Sequence, residues 1–120
     1  MKAAKKVLIA EDDLLLGIIW QESLMEYGLD VTVAQNGRLA IELLQSINYD
    51  LIITDIDLPL VCGKEVIHLL HEVNASTPVV VCSGSISCEQ ELKDYQIDLF
   101  LEKPLDITKK SAQLIKQFLQ

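Results

Sequence analysis

Four short stretches of the chain are almost wholly apolar: Val7-Leu8-Ile9-Ala10, Leu51-Ile52-Ile53, Val79-Val80-Val81-Cys82 and Leu99-Phe100-Leu101. A strand with one wet face alternates apolar and polar residues, so runs without alternation belong to strands covered on both faces, as in parallel sheets. Between the runs, apolar residues recur at helical spacing: Leu16, Ile19, Trp20 and Leu24; Ala40, Leu43, Leu44 and Ile47; Val66, Leu69, Leu70 and Val73; Ala112, Ile115 and Leu119. The pattern predicts strands over 6–10, 30–34, 50–54, 78–82 and 98–102, joined by helices. Gly28 closes the first helix, Asn36-Gly37 opens the second, and Pro78 and Pro104 mark turns. Strand and helix alternating with right-handed crossovers make an α/β, doubly wound, five-stranded parallel sheet.

The chain of 120 residues, half of them hydrophobic, suits one domain spanning 1–120. With 18 acidic against 10 basic residues, a net charge of −8 and the single arginine Arg38, direct nucleic acid binding is not expected. Membrane insertion is not expected either, because the longest apolar run, Leu14 to Trp20, falls far short of the ~18 residues of a span. The apolar stretch after Lys5-Lys6 meets three carboxylates at once, unlike a signal peptide. Cys62, Cys82 and Cys88 form no C-x-x-C pair and read as small apolar fillers or free thiols, which fits a cytoplasmic location.

Each apolar run stops at polar residues: Glu11, Asp12 and Asp13 follow the first, Asp55 the run from Leu51, Ser83 the run from Val79, and Lys103 the last. Open α/β sheets bind ligands at the carboxyl ends of their strands, so these residues converge if the strands are neighbours. Crowded carboxylates repel unless a cation neutralises them, and a hard divalent ion such as Mg²⁺ suits an all-oxygen set. A carboxylate beside such an ion can attack phosphorus and form an acyl phosphate. Lys103 and Ser83 would supply a fixed positive charge and a hydroxyl to the phosphoryl oxygens.

The runs V-L-I-A-E-D-D at 7–13, D-L-I-I-T-D-I-D-L-P-L-V-C-G at 50–63, V-V-V-C-S-G at 79–84 and L-E-K-P at 101–104 resemble the receiver domain of bacterial two-component response regulators. The resemblance covers nearly the whole chain and implies a flavodoxin-like sheet of order 2-1-3-4-5. It implies that Asp55 accepts a phosphoryl group from a histidine kinase or histidine phosphotransfer protein. Asp12 and Asp55 would bind Mg²⁺ directly, with the backbone carbonyl of Asp57 as a further ligand and Glu11 acting through water. Lys103 would contact the phosphoryl group, Pro104 would follow in a cis peptide, Ser83 would be the switch hydroxyl and Phe100 the aromatic switch. Such a domain catalyses only its own phosphorylation and dephosphorylation. It signals to a downstream output domain or protein through its fourth helix, fifth strand and fifth helix.

Ser83 stands where threonine is commoner, and Leu58 before Pro59 where methionine is commoner. The interval from Ser83 to Lys103 is shorter than the family's, and the usual Gly-Ala before the last strand is absent. The candidate fourth helix, 87–95, carries Cys88, Glu89, Gln90, Glu91, Leu92, Lys93 and Asp94, so a short or irregular helix is expected there. Asp57 and Ser85 match positions at which the family tunes phosphate lifetime. Asp13 reads as a helix N-terminal residue, His68 and His71 as surface or half-buried helix residues, and Trp20 as packing the first helix onto the sheet.

Three other readings compete. L-I-I-T-D-I-D at 51–57 also resembles the D-x-D motif of haloacid dehalogenase-like phosphatases, with Asp55 as nucleophile and Asp57 as general acid. In that family the nucleophile strand comes early and a second acidic pair late, whereas here the acidic cluster leads. A flavodoxin-like flavin binder needs a phosphate loop after the first strand, where three carboxylates would repel the phosphate. A receiver kept only as a binding module has no need of the complete acidic set.

Overall fold

The computed structural model describes residues 3–84, 92 and 95–120. In chain order the elements are β1 (Lys6–Ala10), α1 (Leu14–Met25), β2 (Asp30–Ala34), α2 (Gly37–Ser46), β3 (Leu51–Asp55), α3 (Gly63–Val73), β4 (Val79–Ser83), β5 (Leu99–Glu102) and the C-terminal helix α4 (Ile107–Phe118). The strands form one parallel sheet in the order β2-β1-β3-β4-β5, the flavodoxin-like arrangement. The expected short helix over 87–95 lies outside the described residues apart from Leu92, which is buried, and Tyr95.

Successive strand side chains point to opposite faces, and both faces are covered. Leu8, Ala10, Ile52, Val79 and Val81 pack with Ala40 and Leu44 of α2 and Val66, Ile67 and Leu70 of α3. Val7, Ile9, Leu51, Ile53, Val80, Cys82 and Leu101 pack with Trp20 and Leu24 of α1 and Ile107 and Leu114 of α4. This two-sided burial removes alternation from the sequence, and each large side chain so buried contributes roughly 1.5–3 kcal/mol.

Three strands begin one residue later than the sequence predicts. Pro78 has no N–H for the ladder. Asp50 and Asp98 turn their side chains back instead: Asp50 Oδ2 accepts from Lys6 N at 2.8 Å and Asp98 Oδ2 from Val79 N at 2.7 Å. At their other ends β3 and β4 extend to include Asp55 and Ser83, which therefore sit on the ladder, not in a loop beyond it.

Three of the four described helices start at side-chain caps, and α3, which follows Cys62, has none. Asp13 Oδ1 accepts from Leu15 N and Leu16 N at 3.0 and 3.2 Å, Asn36 Oδ1 from Leu39 N at 2.8 Å, and Asp106 Oδ1 from Lys109 N at 3.1 Å. Three inner positions differ from the sequence pattern. Ile19, Val73 and Ala112 are exposed, while Gly17, Ile67 and Ser111 are buried. In α1 the cause is plain: Leu14, Leu15 and Ile18 are apolar too, so the pattern could not mark the inner side. There the inner row is Gly17, Trp20 and Leu24. Trp20, 2% exposed, packs α1 onto the sheet as expected. Among the described residues no helix is long and apolar enough to cross a membrane.

Candidate functional site

Parallel register delivers the ends of β1, β3, β4 and β5 to one edge of the sheet. Glu11, one residue past β1, is held by its own N–H donating to Ala34 O at 3.0 Å. It is 4% exposed, Asp55 at the end of β3 is 8% exposed, and Asp12 is exposed. One carboxylate oxygen from each of Glu11, Asp12 and Asp55 lies within 4.8 Å of the others.

Lys103 reaches this cluster from the end of β5. Its Nζ donates to Glu11 Oε1 at 2.9 Å and to Asp55 Oδ2 at 2.6 Å. Its backbone N–H donates to Ser83 O at 2.8 Å, which fixes the lysine beside β4. The second oxygen of each buried carboxylate is also held: Asp57 N donates to Asp55 Oδ1 at 3.1 Å, and Asp13 N to Glu11 Oε2 at 3.3 Å. Asp13 thus caps α1 and braces Glu11 together.

Three carboxylates face one ammonium, so the cluster carries excess negative charge. Burial pushes the Glu11 carboxyl above its ordinary pKa, and Lys103 only partly reverses this. Burial also disfavours the Lys103 ammonium, but its bonds to Asp55 and Glu11 outweigh that and raise its pKa above the usual lysine value. Cys82, the neighbour of Asp55 in the ladder, is pushed up to about 12 by burial and stays a thiol. Carboxylate oxygens, one of them solvent-facing, make a donor set that fits a hard divalent ion keeping part of its water.

The loop from β3 to α3 closes over Asp55. Gly63 N donates to Ile56 O at 2.9 Å, and a Cβ on Gly63 would collide with the Asp55 carbonyl. Leu60 adopts φ +71, a left-handed conformation unusual for a non-glycine residue, and stands 74% exposed. Thr54, buried, donates its hydroxyl to Asp55 O at 2.9 Å. The supporting roles of Gly63 and Thr54 were not foreseen from the sequence, although both lie inside the motif at 50–63.

Ser83 is fully buried in the last ladder position of β4. Phe100, partly buried, lies opposite Val81 and packs toward the α2 and α3 side of the sheet. The Lys103–Pro104 peptide is cis, and the Asp57 side chain is exposed. His68 and His71 stand apart from the cluster on α3, with His68 pairing with Glu72 at 3.1 Å. A cleft of about 390 Å³ opens beside the cluster, lined by Leu16, Trp20, Leu105 and Ile107 with Glu11 and Lys103 at its polar end. No local pattern announces it, since it joins α1 to the segment after β5.

A family model described as the response regulator receiver domain matches residues 7–115. A probable transcriptional regulator, ycf29, from Pyropia yezoensis is 34% identical over 105 residues, covering 84% of this chain and 47% of that protein. The probable transcriptional regulatory protein SilR of Salmonella typhimurium is 35% identical over 101 residues, covering 82% and 44% respectively. This chain thus spans about half the length of the curated relatives it matches. Among solved structures, the receiver domain of the Francisella response regulator 1452 superposes with a TM-score of 0.80 at 31% identity, covering 94% of this chain and 98% of that one. The family match and the acidic cluster's place ahead of Asp55 set the phosphatase alternative aside.

Proposed function

This chain belongs to the response regulator receiver family, and from that premise we propose that Asp55 accepts a phosphoryl group from a histidine kinase or histidine phosphotransfer protein. The carrying observation is the Asp55 carboxylate, nearly buried at a strand end, bonded to Lys103 and within one ion's reach of Glu11 and Asp12.

In the transfer, an Asp55 oxygen attacks phosphorus, the phosphorus–nitrogen bond of the donor's phosphohistidine breaks, and its electron pair returns to the imidazole. Asp12, Asp55 and the Asp57 backbone carbonyl would hold Mg²⁺, with Glu11 acting through water. When bound, that ion neutralises carboxylate charge and orients phosphoryl oxygens. Lys103 exchanges its bond to Asp55 for one to the phosphoryl group and presents its ammonium charge to the phosphoryl oxygens. The buried Ser83 hydroxyl, one residue past Cys82, the ladder partner of Asp55, turns toward the new oxygens, and Phe100 follows by repacking. The added charge then shifts the domain between inactive and active arrangements.

We assign residues 1–120 to a single receiver domain of a cytoplasmic two-component protein. It performs no turnover chemistry beyond its own phosphorylation and dephosphorylation, and it passes the signal to an output domain or protein. Neither nucleic acid nor membrane is bound by this domain. Intact mass after incubation with a small acyl phosphate and Mg²⁺ tests the reading. One added phosphoryl group is expected in the parent, none without Mg²⁺ and none in Asp55→Asn; modification that persists in Asp55→Asn overturns the assignment.

A further inference from the structure

The loop between β3 and α3, residues 56–62, carries Asp57, whose N–H donates to Asp55 Oδ1 and whose carbonyl the receiver reading offers to Mg²⁺. Its tip is a turn that leucine disfavours. Val61 N donates to Pro59 O at 2.9 Å across Leu60, which stands at φ +71, and the two together make the rare, strained form of the γ-turn. Such a turn persists only where its surroundings hold it, and the exposed Leu60 side chain supplies little packing. The hold comes from α2. Gly37, the first residue of that helix, donates its N–H to the same Pro59 O at 3.2 Å. A Cβ on Gly37 would overlap the Val61 carbonyl oxygen and stand 2.7 Å from its carbon, and these are backbone atoms that cannot swing aside. Gly37 has no positive φ, so its conformation suits any residue and only the space it leaves requires glycine. The bond from Leu39 N to Asn36 Oδ1 fixes this end of α2.

We propose that Gly37 is a positioning residue for the phosphoryl transfer. The bare start of α2 is the seat on which the β3–α3 loop keeps its strained turn, and through that turn Asp57 keeps its backbone groups on Asp55 and on the ion. The ion and the phosphoryl group rest on the receiver reading; the seat rests on the contacts of Gly37 alone. A side chain at 37 lifts Pro59 and Val61 off α2, and Leu60 then loses what holds it at positive φ. The loop has little room to absorb the change. Its base is closed by Gly63 N donating to Ile56 O at 2.9 Å, and Leu58 N donates to the same oxygen at 3.1 Å across Asp57. A shift at the tip is therefore taken up within residues 57–62, Asp57 included. Displacing a group that orients a reacting carboxylate and a metal ligand set is costly even when the displacement is small.

The isotope-labelled full chain is titrated with Mg²⁺ and followed by amide shifts, with labelling by a small acyl phosphate run beside it. Gly37→Ala is expected to bind Mg²⁺ about tenfold more weakly and to label more slowly by a similar factor. Asp98→Ala, which loosens the opposite edge of the sheet, is expected to keep both at the parent values, so lost stability alone does not account for the change. Leu60→Pro serves if Gly37→Ala does not fold. Its ring forbids φ +71 at an exposed position without touching α2, and it is expected to reproduce the loss. Coupling runs both ways, so Mg²⁺ is expected to slow exchange of the Gly37 amide in the parent. Parent-like Mg²⁺ affinity in Gly37→Ala or in Leu60→Pro, equal weakening in Asp98→Ala, or Gly37 exchange indifferent to Mg²⁺ would each overturn the proposal. A parent that neither binds Mg²⁺ nor takes label defeats the receiver reading, and this role of Gly37 with it. A parent that does both, matched by Gly37→Ala, defeats the proposal alone.

Discussion

Replacing Lys103 by methionine keeps the aliphatic stem and deletes the ammonium that Glu11 and Asp55 share at 2.9 and 2.6 Å. The Glu11 and Asp55 side chains are only 4% and 9% exposed, so water solvates their charges poorly in the lysine's place. The folded variant has one escape, to bind a proton, and Glu11, already raised by burial, is the group to take it. Neutralising a carboxyl of unfolded pKa near 4.3 costs roughly 3–4 kcal/mol at pH 7 and about 1 kcal/mol at pH 5. Removing one partner of a buried ion pair typically costs ~3–5 kcal/mol, which agrees with the pH 7 figure.

The direction with pH follows from the same shift. A carboxyl with a raised folded pKa costs nothing below its unfolded pKa and the full amount above its folded one, so the variant's deficit grows as pH climbs from about 4 to 7. Lys103 in the parent has a raised pKa, so its contribution is complete below the unfolded lysine value and is lost only as pH rises through the folded one. The parent therefore keeps its bridge across that window. Urea unfolding in EDTA, followed by the fluorescence of the single, buried Trp20, reads both proteins. Lys103→Met is expected to lose about 3 kcal/mol at pH 7 and about 1 kcal/mol at pH 5. Equal losses at both pH values, or a loss below about 1 kcal/mol at pH 7, would refute the reasoning.

Three further outcomes test the site and its scaffold. Mg²⁺ at a hundredfold excess over its dissociation constant stabilises the parent by about 2.7 kcal/mol in a thermal melt; Asp12→Asn reduces the shift, and an unmoved parent at millimolar metal counts against the acidic triad. Gly63→Ala costs about 1–3 kcal/mol and slows acyl phosphate labelling, because its Cβ meets the Asp55 carbonyl; parent-like stability and labelling would show that the loop yields freely. Asp98→Ala costs about 1–3 kcal/mol in urea and speeds amide exchange at Val79, whose N–H loses its acceptor; unchanged exchange there would remove the clamp from the account of the fold.

Much of the architecture was legible in the chain itself. Runs such as Val79-Val80-Val81-Cys82 can be apolar throughout only if both sheet faces are covered, and that physical demand calls for a parallel sheet between two helix layers. The acidic residues after β1 and the Asp55, Ser83 and Lys103 strand ends were legible for a related reason. A residue that ends a buried strand sits at the sheet's carboxyl edge, where open α/β sheets bind their ligands. The helix faces were less readable. In α1 nearly every position is apolar, so periodicity could not separate Trp20 and Leu24, which are buried, from Leu15 and Ile18, which are not.

By itself, then, the sequence determined, for the described residues and to within about a residue at the strand starts, which stretches form strands, where helices intervene and which polar groups gather at one edge, because period and chain order are local properties. Tertiary structure decided the rest. It set which carboxylate oxygens Lys103 bridges, how Asp50 and Asp98 close the opposite edge, and which side of α1 meets solvent. Those outcomes depend on groups far apart in sequence, whose distances exist only once the sheet has paired and both layers have packed.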